Sequence, residues 1–117
     1  MAAEERSKAF YERAVKRLPG GVNSPVRAYQ AVGRTPRFIQ SAKGAHITDV
    51  DGNEMIDYVC SWGPGILGHA NPKVVEKVKA ACDEGLTFGA PTEREVEMAE
   101  LLAELVPSME VSRLVSS

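Results

Sequence analysis

Arg27 closes a short loop, Gly20-Gly21-Val22-Asn23-Ser24-Pro25-Val26-Arg27, that gathers two glycines, a proline, a hydroxyl and a guanidinium. The glycines permit backbone angles closed to other residues. Pro25 fixes its own φ and biases Ser24 towards extended geometry, so Arg27 is presented from a partly preorganised turn. A guanidinium held in this way can grip a carboxylate through two parallel hydrogen bonds. Taken alone, the loop is better read as ordinary surface with a solvated arginine; its context in the sequence reverses that preference.

Other residues invite chemistry less clearly. Trp62, the single tryptophan, lies in the glycine-rich stretch 61–70, where a rigid aromatic wall for a ligand and a plug between neighbouring elements are equally good readings. Gly63-Pro64-Gly65-Ile66-Leu67-Gly68 satisfies the letter of the G-x-G-x-x-G dinucleotide fingerprint. Its glycines, however, do not open a helix, and no second strand ending in an acidic residue follows at the required distance, so the match is accidental. His69 has no evident carboxylate or cysteine partner at ligand spacing and stays unassigned. Cys60 has no evident histidine partner for nucleophilic catalysis and is read as structural. Glu93, Glu97, Glu100 and Glu104 line one helical face, which is read as solvated, and no metal site is expected.

The elements that must position these residues are legible in outline. Phe10, Tyr11, Ala14, Val15 and Leu18 recur at helical spacing over 4–18, and Pro19-Gly20-Gly21 stops the pattern. Three short runs, 37–42, 45–50 and 54–59, are separated by Lys43-Gly44 and Asp51-Gly52-Asn53 and predict an antiparallel meander. Asn71 as N-cap and Pro72 at the first helical position open a second helix, with Val74, Val78, Ala81 and Cys82 as its expected buried stripe and Gly85 as its terminator. Thr92 with Glu95 forms a capping box for a third helix that runs to about Val106. Residues 111–117 read as a strand entering a turn of small residues.

Composition narrows the class. With 117 residues the chain is within the size of one small domain, and 14 basic against 16 acidic residues give a net charge of −2, with no basic field to attract nucleic acid or an anionic membrane. No apolar run approaches the roughly 20 residues of a membrane span, and no secretory signal opens the chain, so a cytoplasmic location is expected. Cys60 and Cys82 belong to no C-x-x-C pair and are expected to be reduced and partly buried. A final strand with no sheet to join makes the whole read as the front of something longer.

The Gly20–Arg27 loop, Asp49-Val50-Asp51-Gly52-Asn53 with Ile56-Asp57-Tyr58, Ser61-Trp62-Gly63-Pro64, Leu67-Gly68-His69 and Phe88-Gly89-Ala90-Pro91-Thr92-Glu93 together resemble the amino-terminal portion of the glutamate-1-semialdehyde 2,1-aminomutase family. That family is part of the class III, fold-type I aminotransferases, which use pyridoxal 5′-phosphate (PLP). The Asp-Gly turn and Gly-His pair are common to the wider class, whereas Ser-Pro-Val-Arg followed by Ser-Trp-Gly-Pro points to the aminomutases. The resemblance implies an α/β fold of which this chain carries a helix, a three-stranded meander, two helices and the start of the large-domain sheet. Residues 1–60 would belong to a small domain and 61–117 would begin the large one.

The implied activity is the isomerisation of glutamate 1-semialdehyde to 5-aminolevulinate, a tetrapyrrole precursor, by a cytoplasmic homodimer. Arg27 would bind the substrate carboxylate, Ser24 would assist through its hydroxyl, and Trp62 would wall the pocket. Ser117 would begin the turn that holds the cofactor phosphate at a helix amino terminus. The Schiff-base lysine belongs to a later portion of the family sequence. None of Lys8, Lys16, Lys43, Lys73, Lys77 or Lys79 matches it, so the isolated 117 residues are expected to be inactive and to hold PLP weakly. Another class III ω-aminotransferase, and a non-enzymatic protein-binding fragment, are the alternatives.

Overall fold

The computed structural model describes residues 4–115, and the chain divides into two compact units, Met1–Val78 and Lys79–Ser117. In the first unit, helix α1 (Glu5–Ala14) precedes a three-stranded antiparallel sheet of β1 (Ile39–Lys43), β2 (His46–Asp49) and β3 (Glu54–Ile56), in the order β1-β2-β3. Helix α2 (Pro72–Glu84) crosses the division, and α3 (Glu93–Leu105) lies in the second unit. The regular part of α1 is shorter than its apolar pattern. After Ala14 the chain tightens into a turn in which the amides of Arg17 and Leu18 both donate to the Ala14 carbonyl, at 2.9 and 2.8 Å.

The meander forms where the turn residues placed it. Lys43 pairs with His46 across Gly44-Ala45, and His46, Ile47 and Thr48 pair with Ile56, Met55 and Glu54. The register shifts between Ile39 and Ser41, where β1 carries one extra residue.

Polar contacts dominate the centre of this unit. Asp49 is fully buried and its carboxylate accepts from the amides of Asp51 and Asn53 at 3.0 and 2.8 Å, from Asn53 Nδ2 at 2.8 Å and from Arg37 Nη1 at 2.6 Å. Arg37 Nη2 reaches Glu4, 2.8 Å away, and so ties the sheet to the start of α1. Asp51 completes that tie. Its carboxylate accepts from the amides of Arg6 and Ser7 at 2.7 and 3.0 Å and from Ser7 Oγ at 2.7 Å. These are the second and third helical amides, the donors that a side-chain N-cap satisfies. The cap of α1 therefore comes from the β2–β3 turn, and Phe10 stacking on Phe38 at 5.6 Å adds an apolar contact between the same two segments.

Three expectations need correction. Residues 111–115 form no strand, because none of the described strands pairs with them and an extended segment acquires strand geometry through such pairing. The start of the large-domain sheet is thus not seen among the described residues. The predicted stripe of α2 is not buried: Val74 and Val78 are 46% and 54% exposed. Both cysteines are free and exposed rather than partly buried.

Apolar exposure is general. The accessible surface totals 9979 Å², whereas two folded bodies of these sizes would together expose about 7,400 Å². Besides Gly21 and Pro36, Ala28 and Val50 are the buried apolar residues among those described, while Trp62, Ile66, Leu67, Leu86 and Leu105 are all at least 63% exposed.

Candidate functional site

Ser24 and Arg27 lie on one tight turn. Ser24 is extended, with φ −140° and ψ 124°, and Pro25–Ala28 then forms a short 3₁₀ segment in which the Arg27 amide donates to the Ser24 carbonyl at 2.9 Å. The sequence explains the geometry: Pro25 disfavours helical angles at Ser24 and presets its own. The glycines before it have a packing role that the anion-loop reading missed. Gly21 is buried with φ +75°, and a Cβ there would come within 2.6 Å of Tyr11 Cε2, so this position must be glycine to pass over α1. Arg27 is exposed and makes no ion pair among the described residues, whereas Arg34 and Arg37 in the same unit are engaged by Glu4.

Trp62 stands in a more unusual environment. Cys60, Ser61 and Trp62 all have left-handed backbone angles, with φ of +50°, +55° and +65°. For a residue with a Cβ this conformation costs about 1–2 kcal/mol, so three in succession cost about 3–6 kcal/mol. Strain of this kind persists where the surroundings over-determine it, and it concentrates at functional sites.

Asp57 supplies much of that constraint. Its Oδ1 accepts from the amides of Val59 and Cys60 at 2.9 and 3.2 Å, and its Oδ2 lies 2.6 Å from His69 Nε2. The hydrogen bond from His69, followed by those from Val59 and Cys60, lowers the carboxyl pKa against the opposing effect of burial. His69 is fixed in turn by a reciprocal backbone pair with Gly44, 2.8 Å in each direction.

Glycines of the accidental fingerprint complete the clamp. A Cβ on Gly65 would lie 2.9 Å from the Cys60 carbonyl oxygen, and one on Gly68 would lie 2.9 Å from that of Gly44. These glycines therefore serve close backbone packing. A cavity of about 350 Å³ lies beside the clamp, lined by Asp57, Cys60 and His69 among others.

His69 thus has the carboxylate partner that the sequence did not reveal, because Asp57 is twelve residues away and reaches it only once the meander has formed. Asp51 was legible as a turn residue and Asp49 as part of the strand before it, but not as a helix cap and a buried hub. Burial opposes ionisation of both. For Asp49 it is outweighed by hydrogen bonds from Asn53, Arg37 and Asp51, and for Asp51 by those from Ser7 and Arg6, so both pKa values are lowered.

No hydrogen bond or ion pair among the described residues joins Ser24 or Arg27 to Trp62. Ser117 lies outside the described residues. All six lysines are exposed, and none lines the cavity beside Asp57. Among the described residues there is also no group of three or more His, Cys, Asp or Glu that could hold a metal ion, and no helix long and apolar enough to cross a membrane.

Residues 29–117 match the family model for class-III aminotransferases. A glutamate-1-semialdehyde 2,1-aminomutase from Polaromonas naphthalenivorans is 63% identical over 115 residues, covering 98% of this chain and 26% of that protein. A second aminomutase, from Lachnoclostridium phytofermentans, is 60% identical over 112 residues, covering 96% of this chain and 26% of the relative. Among solved structures, a transaminase with PLP bound superposes with a TM-score of 0.80 at 43% identity, covering 89% of this chain and 24% of that one. The chain therefore spans about a quarter of the length of the relatives it matches.

Proposed function

The chain belongs to the class-III aminotransferase family, and from that premise we propose that it is the amino-terminal part of an aminomutase that converts glutamate 1-semialdehyde to 5-aminolevulinate. The observation that carries this reading is the identity of 60% and 63% to aminomutases along nearly the whole chain. In the full-length enzyme PLP is the carrier of the amino group, and the residues that hold it lie elsewhere than in the described part of this chain.

What this chain contributes is substrate recognition. Arg27, which makes no ion pair among the described residues, receives the substrate carboxylate through its planar fork from its preorganised turn. Ser24, three residues earlier on the same turn, adds a hydroxyl, and Trp62 forms a wall of the pocket. Residues 1–60 belong on this reading to the small domain and 61–117 open the large one, with Ser117 at the start of the phosphate-binding turn. The full-length protein is a homodimer of the cytoplasm.

Arg27→Lys in the full-length enzyme tests the assignment. Lysine keeps the charge and loses the fork, so KM for the semialdehyde rises by about tenfold while the cofactor absorbance is unchanged. Native KM and kcat would remove Arg27 from the substrate site.

A further inference from the structure

We propose that Asp57, braced by His69, is a positioning residue for substrate recognition: its carboxylate holds the left-handed Cys60–Trp62 turn and thereby fixes the Trp62 side chain. The inference rests on the reading of Trp62 as a wall of the substrate pocket. It goes beyond that reading by assigning the specificity of the wall to two residues that need not touch substrate.

A run of three left-handed residues without a glycine is not a conformation that Cys60, Ser61 and Trp62 adopt unaided. Two hydrogen bonds close the turn on itself, from Trp62 N–H to the Val59 carbonyl at 3.0 Å and from Gly63 N–H to the Cys60 carbonyl at 3.1 Å. Such bonds accompany the turn but do not select its hand. Selection comes from the entry side, where one Asp57 oxygen binds the amides of Val59 and Cys60 together.

The other Asp57 oxygen is anchored 2.6 Å from His69 Nε2, and His69 is locked by backbone bonds to Gly44 in the β1–β2 turn. The clamp therefore runs from the sheet, through His69 and Asp57, to the turn that carries Trp62. Trp62 is itself 65% exposed, so its own packing does little to fix it. Its orientation is inherited from a strained backbone, and such an orientation is lost when the constraint is lost.

The test is steady-state turnover of glutamate 1-semialdehyde by the full-length enzyme and its variants. Asp57→Ala raises KM about tenfold with kcat within about threefold of native and with the cofactor absorbance unchanged. Ser61→Gly in the same background recovers most of that loss, because glycine takes the left-handed angle without a steric cost. Trp62→Ala raises KM by itself, and adding Asp57→Ala to it costs less than about twofold more, since both remove the same interaction.

A native KM for folded Asp57→Ala overturns the proposal, as does a double variant in which the two losses multiply. If Asp57→Ala yields no folded enzyme, Ser61→Gly must restore it, and failure to do so is equally contradictory. A native KM for Trp62→Ala removes the pocket reading and the inference with it, whereas a Trp62 effect that multiplies with that of Asp57 removes the inference alone.

Discussion

Two turns attached to the same small sheet are each held by an aspartate carboxylate, and they handle positive φ in opposite ways. In the β2–β3 turn, Asp49 gathers the amides of Asp51 and Asn53, and the residue that must turn left-handed is Gly52, at φ +85°. Beyond β3, Asp57 gathers the amides of Val59 and Cys60, and the left-handed positions are filled by Cys60, Ser61 and Trp62. The first turn uses the residue that removes strain, as a structural turn should. The second keeps side chains where glycine would be easier, and one of them is the only tryptophan. The contrast separates a clamp that stabilises the fold from one that retains strain to present a side chain.

Breaking the first clamp has the largest expected effect on stability. Asp49→Ala removes a fully buried carboxylate and leaves Arg37 Nη1 and two turn amides without their acceptor. A loss on the order of 2–4 kcal/mol in chemical denaturation of the full-length protein follows, with KM of the surviving folded enzyme near native. A stability change close to zero would mean that the hub is incidental.

A smaller effect sharpens the comparison. Gly52→Ala meets no atom within 4 Å, so its cost is confined to the backbone. The expected loss is about 1 kcal/mol, read from the denaturation midpoint, again with native KM. A much larger loss would show that the first turn is also strained, and the distinction between the turns would fail.

Local signals were the legible part of the sequence. Asn71 and Pro72 marked the start of α2, where the Lys73 amide donates to Asn71 Oδ1 at 3.1 Å. Thr92 and Glu95 marked that of α3, where the Thr92 amide donates to Glu95 Oε2 at 3.1 Å. In both cases partner and cap lie within three residues, so spacing alone identifies them.

The cap of α1 was not legible, because Asp51 stands more than forty residues from the amides it receives. The left-handed turn at 60–62 left no trace either, since the usual marker of positive φ is a glycine and these three positions have none. Arg27, Ser24 and Trp62 were singled out by residue type and resemblance, whereas Asp57 and His69 emerged only when the meander brought them together. The exposed stripe of α2 was misjudged for a different reason. Periodicity reveals which face is apolar, but whether that face is buried depends on a partner surface that periodicity does not contain.

The most direct test of the account is the substrate selectivity of the full-length protein, measured as 5-aminolevulinate formed from glutamate 1-semialdehyde beside transfer from ω-amines to pyruvate. The account predicts ready conversion of the semialdehyde and little ω-amine transfer. Ready turnover of many ω-amines, with none of the semialdehyde, would contradict it and make the Arg27 turn the carboxylate grip of a different class-III aminotransferase.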